Sequence, residues 1–298
     1  MTAETPPPPA ITLVIPVYNE RNSLRPLDER LRELLPALPT GSVAILVNDA
    51  STDGSAEILA DLAAAQDAPF RLLRHERNRG YGASLKTGIA AAETEWIAIS
   101  DADGTYPLER LEDLLGAIAD GARMAVGQRP LGQQPLIRRP AKVFLNRFAS
   151  YLSGTPIPDI NSGLRVFRRD DALRLRRLLP DGFSLTTTIT MALTTEGHRV
   201  DFLPITYGKR EGRSKISPFR DLGRFTLLIL QMAMAFNPLR VFGPAAAALI
   251  ALGLALLVVR AFLQETVALA TTVVVLIGGV QLLALGLLAD LINRRGGG

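Results

Sequence analysis

The sequence predicts a Rossmann-like α/β domain with a mostly parallel sheet, followed by an interfacial helix and a hairpin of two transmembrane helices. Short aliphatic runs alternate with helical patterns through most of the chain, which is typical of parallel α/β domains. Near the carboxyl terminus, residues 241–259 and 266–289 contain no charged residue. Each of these two runs is long enough to cross a hydrocarbon core.

The aliphatic runs predict strands at 11–15, 43–47, 70–73, 96–100 and 124–126, another ending the stretch 159–169, and one at 200–205. Their continuous apolar character indicates strands that are buried on both faces. Helices are predicted at 23–35, 51–65, 81–92, 107–119, 141–152 and 184–195. The second of these helices is expected to begin near Ser51 or Asp53. The last is helical by context, although its threonines disfavour a helix.

Composition divides the chain into four parts. Residues 1–10 are a proline-rich lead that is expected to be disordered or to adopt polyproline II, and residues 11–218 are expected to form the folded domain. Residues 219–238 include an apolar stretch that is too short to span a bilayer and follows basic residues, as in an interfacial helix. Residues 239–293 hold the two spans.

Basic residues flank the outer ends of the hairpin, whereas its turn offers only Arg260, near Glu265. The positive-inside rule therefore predicts an integral membrane protein whose large domain and two termini are cytoplasmic. The net charge of +4 is modest and its excess lies near the membrane. Anionic lipids or phosphates are thus expected partners, and nucleic acid is not. The absence of cysteine excludes disulfides and thiolate chemistry.

Carboxylates follow three of the predicted strands. Asp101 and Asp103 end the 96–100 run, and Glu20 and Asp49 follow the first two strands. Ligands of parallel α/β sheets bind beyond the carboxyl ends of the strands, so these acids are expected at one site. Asp101 and Asp103 suit Mg²⁺ or Mn²⁺ holding a substrate's phosphates, although a short acidic turn exposed to solvent has the same pattern. Thr105 is either a further oxygen ligand or a turn residue.

Several other polar residues have two interpretations each. Asp49 and Glu20 either bind a base or ribose or cap local structure. Lys86 is either a ligand or an exposed helix residue. Asp159 is either a general base or a residue that positions Arg165 or an acceptor. The two histidines, His75 and His198, are expected to be structural or exposed.

Basic residues follow the acidic site along the chain. Arg129, Arg138 and Arg139 lie between it and the membrane segments, where an anionic acceptor carried by a lipid would need them; singly, each is an ordinary surface charge. A basic loop follows at 207–215, with Lys209, Arg210, Arg213 and Lys215. It is expected to meet either the anionic bilayer or substrate phosphates.

Taken together, these motifs resemble those of family 2 glycosyltransferases of GT-A fold. The matching pieces are Val14-Ile15-Pro16-Val17-Tyr18-Asn19-Glu20, Asn48-Asp49-Ala50-Ser51-Thr52-Asp53-Gly54, Asn78-Arg79-Gly80-Tyr81-Gly82 with Lys86-Thr87-Gly88, and Asp101-Ala102-Asp103-Gly104. The stretches 159–169 and 207–215 look like the branch that contains dolichyl-phosphate mannose synthases and polyprenyl-phosphate hexosyltransferases. The resemblance covers residues 11–220 well and the hairpin only in kind.

The resemblance implies an inverting transfer of a hexose from a nucleotide sugar, of GDP-mannose or UDP-glucose type, to dolichyl or undecaprenyl phosphate. It implies that the donor-binding residues are Pro16, Tyr18, Glu20, Asp49, Lys86, Asp101, Arg210, Arg213 and Lys215. Asp103 and Asp159 are the implied catalytic residues, and Asp101 and Asp103 the implied ligands of Mg²⁺ or Mn²⁺. The acceptor phosphate would meet Arg129 and Arg138 or Arg139.

Two departures from the family pattern bear on the acceptor and the metal. Thr105 stands where many relatives have glutamine, which weakens a third protein ligand. No acid occurs in 184–195, where many relatives carry a glutamate, and this favours phosphate over a hydroxyl as the nucleophile. The alternatives are transfer to a glycan hydroxyl and a non-catalytic membrane scaffold with a sugar-nucleotide fold. The sequence does not define the oligomeric state, and an oligomer is possible.

Overall fold

Seven strands form one mixed sheet: β1 (Ile11–Val17), β2 (Val43–Asn48), β3 (Phe70–Arg74), β4 (Trp96–Ile99), β5 (Met124–Gln128), β6 (Arg165–Arg168) and β7 (Val200–Pro204). Their order in the sheet is β3-β2-β1-β4-β6-β5-β7. The first four strands are parallel to their neighbours among themselves, and β5 is parallel to β7. Only β6 is antiparallel, to both β4 and β5. The prediction of a mostly parallel sheet is confirmed.

The computed structural model describes residues 7–130, 132, 139–182, 184–208, 218–263 and 269–296, with the backbone alone at 218–222, 224–225, 263 and 294–296. Within these residues the helices are α1 (Leu24–Leu34), α2 (Ser55–Ala63), α3 (Tyr81–Ala91), α4 (Leu111–Ala119), α5 (Arg139–Ser153), α6 (Arg169–Arg174), α7 (Leu185–Thr195), α8 (Pro218–Phe236), α9 (Leu239–Leu263) and α10 (Leu269–Gly296). Short 3₁₀ turns follow α1 and precede α4.

Helices cover both faces of the sheet, so the strands are buried on both sides. In β1, Ile11, Leu13 and Ile15 point into a core that α1, α2 and α4 complete, whereas Val14 points into the opposite core with α3, α6 and α7. This alternation follows from the period of two residues in a strand. Burial on both faces explains why β1 reads as one continuous aliphatic run.

The topology places the predicted acids at one edge of the sheet. β2, β1 and β4 are adjacent parallel strands, and Asp49, Glu20 and Asp101 follow their carboxyl ends. Neighbouring parallel strands end at the same edge of the sheet, so the three acidic residues lie at that edge. This is the edge at which ligands of open α/β sheets bind.

Two helices differ from the predictions, one in where it begins and one in not having been predicted. α2 begins at Ser55 after Gly54, which has φ +91°, and not near Ser51. The residues before it form a side-chain-stabilised turn instead, in which Asn48 Oδ1 accepts from the Ser51 N–H at 3.1 Å. The short helix α6 was not predicted, because its six residues are too few for a helical period to show.

α8 does not lie free of the domain. Its residues Ile229, Met232 and Ala233 are buried in a third core with side chains of α5 and α7. Part of the apolar surface that predicted an interfacial helix is therefore a contact within the protein. Leu227, which is 54% exposed, is on the part that remains open.

α9 and α10 form the predicted antiparallel pair of long apolar helices, with mostly exposed side chains. Three glycines let them approach closely. An added Cβ would lie 2.6 Å from Leu276 at Gly253, 2.7 Å from Ile250 at Gly279 and 2.9 Å from Phe242 at Gly286. Small residues at such contacts are typical of helix pairs in membranes.

A glycine also sets the distance between α3 and the sheet. A Cβ at Gly88 would lie 2.3 Å from Val14 Cγ1, inside a core that cannot yield easily. We expect Gly88→Ala to lower the free energy of unfolding by about 1–3 kcal/mol through overpacking. The control Gly116→Ala, on an exposed position of α4 with open space around it, should leave stability equal or raise it by up to about 1 kcal/mol. Thermal unfolding of the full chain in detergent would measure both, and equal melting temperatures for the two variants would contradict the packing argument.

Candidate active site

The acidic turn after β4 is built by its own side chains. Asp103 Oδ1 accepts hydrogen bonds from the Thr105 N–H at 3.1 Å and from the Thr105 hydroxyl at 2.6 Å. Gly104 between them has φ +71°, which a side chain would disfavour. The predicted turn and the turn-forming role of Thr105 are confirmed, and the hydroxyl is thereby committed to Asp103.

Asp101 is held from two sides. The Tyr81 hydroxyl, at the start of α3, donates to Asp101 Oδ1 at 2.9 Å. Gly163 lies against the same carboxylate, because an added Cβ there would be 3.1 Å from each Asp101 oxygen. The Gly163 N–H donates to the Tyr106 hydroxyl at 2.7 Å, which fixes this close approach. Burial raises the pKa of both tyrosine hydroxyls, so each keeps its proton.

The chemistry of the acidic turn fits a hard divalent cation. Asp101 and Asp103 are half-buried and offer carboxylate oxygens, which Mg²⁺ and Mn²⁺ prefer. Among the described residues, no set of three or more histidine, cysteine, aspartate or glutamate side chains is placed to hold a metal. An ion at this pair would take its other ligands from water and from substrate oxygens, as Mg²⁺ commonly does.

A second charged cluster, which we call the cation pair, consists of Arg129 at the end of β5 and Lys142 on α5. Both contact Asp159, whose side chain is 0% exposed. Arg129 Nε and Nη2 donate to the two Asp159 oxygens at 2.8 and 2.9 Å, and Lys142 Nζ lies 3.0 Å from Oδ2. Two positive charges thus share one negative charge, so the cluster keeps an excess of one positive charge.

The charge states of this cluster follow from burial and pairing. Burial alone would raise the pKa of Asp159, but Arg129 and Lys142 outweigh it and lower that pKa to about 2. Burial lowers the pKa of Lys142 to about 8, against the attraction of Asp159. Asp159 is therefore ionised and fully engaged. Of the two roles that the sequence left open for it, this geometry favours positioning over general-base catalysis.

Aromatic residues connect the cation pair with the acidic turn. The Arg129 guanidinium lies 5.5 Å from the ring centroid of Tyr207, and Tyr207 packs edge-on against Tyr106 at 5.2 Å. The Gly208 N–H donates to the Thr105 carbonyl at 2.9 Å. The described beginning of the basic stretch 207–215 is thus bonded to the acidic turn itself, and the two charged clusters belong to one site.

Asp49 has a well-defined structural role. Its carboxylate accepts from the Arg79 and Gly80 N–H groups at 2.8 and 2.7 Å, and Oδ1 lies 2.7 Å from His75 Nδ1. His75 Nε2 is 2.9 Å from the Thr87 hydroxyl. The buried His75 is structural, as one of its two interpretations predicted. Asp49 thereby fixes the loop that leads into α3, and its predicted nucleoside contact stays a prediction.

The other predicted donor-binding residues differ in burial and in their contacts with the protein. Tyr18 and Glu20 are half-buried beyond β1, whereas Pro16 is buried within that strand. The Lys86 ammonium donates to the Leu179 carbonyl at 2.9 Å and pairs with Asp181. These contacts hold that segment against α3, and the predicted contact of Lys86 with a donor stays a prediction.

The predicted basic residues are only partly described. Arg139 starts α5, and its Nη2 donates to the Gly132 carbonyl at 2.6 Å. Arg138, Arg210, Arg213 and Lys215 lie outside the described residues.

Sequence reasoning missed four side chains of this site: Tyr81, Tyr106, Lys142 and Tyr207. Lys142 belonged to the basic run that the sequence displays, but nothing local distinguished it from exposed neighbours. The tyrosines lie in or beside recognised motifs, since Tyr81 is part of the motif 78–82, Tyr106 follows the acidic turn and Tyr207 begins the basic stretch 207–215. The one feature of the sequence that could have identified these tyrosines is therefore their position in or beside a recognised motif.

The known proteins similar to this chain include a glycosyltransferase and two enzymes that are named for polyprenyl phosphates or their sugar derivatives. Glycosyltransferase AglJ of Haloferax volcanii is 29% identical over 96% of this chain and 95% of its own length. An undecaprenyl-phosphate 4-deoxy-4-formamido-L-arabinose transferase of Klebsiella pneumoniae is 28% identical over 97% of this chain and 90% of its own length. A polyprenol monophosphomannose synthase of Mycolicibacterium smegmatis is 29% identical over 69% of this chain and 80% of its own length.

Solved structures with the same fold include glucosyl-3-phosphoglycerate synthase from Mycobacterium tuberculosis. Its complex with Mn²⁺, UDP and glucosyl-3-phosphoglycerate superposes with a TM-score of 0.56 at 16% identity, over 76% of this chain and 79% of that one. Its complex with Mg²⁺ and UDP gives 0.55 at 16% identity, over 76% and 79%. At this identity the likeness establishes the fold, which is GT-A as predicted.

Two family patterns cover most of the chain. Residues 237–294 match the GtrB C-terminal hairpin, which agrees with α9 and α10 and with a membrane-anchored protein. Residues 12–175 match the pattern described as Glycosyl transferase family 2, and they include the acidic turn, the cation pair and Asp159. This match covers more than half of the residues of the chain. The chain therefore belongs to glycosyl transferase family 2 and is a glycosyltransferase.

Proposed function

We propose that this enzyme transfers a hexose from a nucleotide sugar to the phosphate of a polyprenyl lipid, with inversion at the anomeric carbon, on the cytoplasmic face of a membrane. The observation that carries the proposal is the cation pair. Arg129 and Lys142 share one carboxylate beside the acidic turn, so they leave one positive charge for an anionic acceptor. The names of two relatives, an undecaprenyl-phosphate transferase and a polyprenol monophosphomannose synthase, support the same acceptor.

In the proposed reaction, an oxygen of the lipid phosphate attacks the anomeric carbon while the bond from that carbon to the nucleoside diphosphate breaks. Both electrons of that bond leave with the diphosphate. Attack from the opposite side inverts the anomeric centre. The attacking phosphate is already ionised near neutral pH, so no general base is required. This agrees with Asp159, whose pKa of about 2 and two cationic partners make it unsuited to accept a proton.

The acceptor phosphate is assigned to Arg129 and Lys142. Arg129 is oriented by its bidentate contact with Asp159 and by the Tyr207 ring. Lys142 Nζ is buried, and its contact with Asp159 Oδ2 at 3.0 Å engages at most one of the three ammonium donors, so the others remain for a ligand. Arg138 and Arg139, at the start of α5, are proposed to widen this cradle. Asp159 acts through both cations as a positioning residue.

The donor diphosphate is assigned to the acidic turn, where Asp101 and Asp103 would hold Mg²⁺ or Mn²⁺. An ion held by these two carboxylates would supply positive charge that offsets the negative charge of the departing diphosphate. Arg210, Arg213 and Lys215 are proposed to contact the same phosphates, since Gly208, just before this loop, is bonded to Thr105. Tyr18, Glu20, Asp49 and, by its backbone, Pro16 are proposed to form the nucleoside end of the pocket.

Transfer to a glycan hydroxyl is the main alternative, and it would need a base. The polar side chains of α7 near the site are threonines engaged with the protein: Thr187 Oγ1 donates to Asn161 Oδ1 at 2.5 Å, and Thr190 Oγ1 accepts from Arg165 at 2.7 Å. The described residues of α7 offer no carboxylate. This absence favours the lipid phosphate.

The membrane arrangement is part of the proposal. α9 and α10 span the bilayer, residues 11–218 and both termini are cytoplasmic, and α8 lies at the interface near anionic lipids. Residues 209–224 and Arg240 supply the basic flank that this orientation requires. Protease protection of closed vesicles would test it, because only an exposed cytoplasmic domain is cleaved in inside-out vesicles.

The direct test is label transfer by the full chain in membranes, from GDP-mannose, UDP-glucose and other nucleotide sugars, into an organic-extractable lipid. We expect an acid-labile lipid-phosphate sugar. Asp103→Ala should reduce transfer at least about 100-fold while the protein stays folded, because the diphosphate loses its charge stabilisation. The control Glu112→Ala removes an exposed acid of α4 and should leave the rate unchanged. Label found only in an acid-stable glycan, or near-normal turnover of Asp103→Ala, would contradict the proposal.

Gly163 gives a second, independent probe of the acidic turn. An added Cβ would push against both Asp101 oxygens at 3.1 Å and against Tyr106 at 3.0 Å. We expect Gly163→Ala to lower kcat by about 10- to 100-fold through misplacement of Asp101. Gly116→Ala, which has open space, is the control. If transfer by Gly163→Ala equalled that of the control, Asp101 would not need this placement.

The pKa of about 8 for Lys142 predicts a pH dependence. The ammonium is charged below this pH and becomes neutral above it, whereas a phosphate monoester, with its second pKa near about 6, is already dianionic. The KM for polyprenyl phosphate should therefore rise as pH increases from 7 to 9. Lys142→Arg stays charged over this range and should flatten the profile. An unchanged rise of KM in Lys142→Arg would mean that another group titrates.

A further inference from the structure

A polar side chain lies in the middle of the second apolar helix. Gln281 is the thirteenth residue of the 25-residue apolar segment Leu269–Asn293, so about 18 Å of helix separates it from either end. Its side chain is exposed, and it makes no hydrogen bond with any described residue. α9, the helix that pairs with α10, therefore leaves the Gln281 amide without a partner.

This position is unfavourable for a single copy in a bilayer. The hydrocarbon core offers no water to an amide, and a glutamine side chain is far too short to reach the headgroups from its centre. Polar side chains inside membranes accordingly face other helices, with which they form hydrogen bonds. The exposed amide points to a further helix that packs against α10.

The surface around Gln281 is suited to such a contact. Val274, Gly278, Gln281 and Leu285 recur every three or four residues and form one line along the helix, the Gln281 stripe. Val274 is 68% and Leu285 54% exposed. Gly279 and Gly286 are in the contact with α9, whereas a Cβ at Gly278 would meet only Leu249, at 4.0 Å. Gly278 thus lets another helix approach the backbone one turn from the amide.

We propose that a second copy of this chain packs against the Gln281 stripe, with the Gln281 amides of the two copies hydrogen-bonded to each other. Copies with the same topology in one membrane, related by an axis along the membrane normal, place the same residue at the same depth. Gln281 then meets Gln281. An amide both donates and accepts, so this pair satisfies itself without a second kind of residue.

The chain contains no cysteine, so single cysteines report on the contact without background. Val274→Cys and Leu285→Cys place a thiol on the stripe. Val280→Cys is the matched control, because Val280 is 59% exposed and adjacent in depth but lies about 100° around the helix. The full chain, reconstituted in vesicles at a low protein-to-lipid ratio, is oxidised with copper phenanthroline, and disulfide dimers are measured on non-reducing gels.

We expect a dimer at twice the mass of the chain from the two stripe positions and several-fold less from Val280→Cys. Adding Gln281→Leu should weaken association about 3- to 10-fold, whereas Gln281→Asn, which keeps an amide, should weaken it less. Equal cross-linking at Val280→Cys would overturn the proposal, as would an unchanged dimer fraction in Gln281→Leu. A cross-linked product of another mass would assign the stripe to a different protein and would overturn it as well.

Discussion

The buried Asp159 carboxylate is the constraint on which the proposed acceptor site depends. It joins the end of β5, through Arg129, to α5, through Lys142, although these elements are separated by a stretch of chain that includes 133–138. Removing one partner of a buried ion pair commonly costs about 3–5 kcal/mol, because the other charge is left unpaired. Two cations around one carboxylate already leave such a charge. A structure that keeps this excess charge close to the acidic turn is suited to bind an anion.

A second buried cation, Arg165, stabilises the same region through hydrogen bonds to carbonyl and hydroxyl groups. Arg165 is 0% exposed and forms no ion pair with a carboxylate of the residues that the structure describes. It donates instead to the Ser162 and Thr186 carbonyls and to the Thr190 hydroxyl. Burial lowers its pKa to about 10, which still leaves it charged near neutral pH. Arg165 thereby ties the turn that carries Gly163, and hence the placement of Asp101, to α7.

This network explains a helix that local preference opposes. The threonines of α7 disfavour a helix by intrinsic propensity, yet they are buried and face polar groups. Thr190 accepts from Arg165 and itself donates to the Thr186 carbonyl at 2.8 Å. Threonine supplies a short hydroxyl where an aliphatic residue would leave a buried guanidinium unsatisfied. Tertiary contacts thus override the local preference here.

The strands and the position of the acids were predictable because they depend on local patterns. A run such as Ile11–Val17 has to be buried on both faces, and parallel order then brings Asp49 and Asp101 to one edge. The reversed direction of β6 was not predictable, since Arg165–Arg168 has no feature that distinguishes the two directions. Lys142 was not predictable either, because its importance arises from Asp159, a residue distant in sequence that it meets only in the folded chain.

One helix, α5, connects the cation pair with the start of the apolar hairpin. Lys142, near the start of α5, and Tyr151, near its end, are nine residues apart, or about 14 Å along the helix. Arg240, in the first turn of α9, donates to the Tyr151 carbonyl at 2.7 Å, and the Tyr151 hydroxyl donates to the Arg240 carbonyl at 3.4 Å. α5 therefore fixes the distance between the cation pair and the start of the first apolar helix. A phosphate carried by a lipid has a set height at the membrane surface, so a helix of fixed length is an effective way to place its partners there.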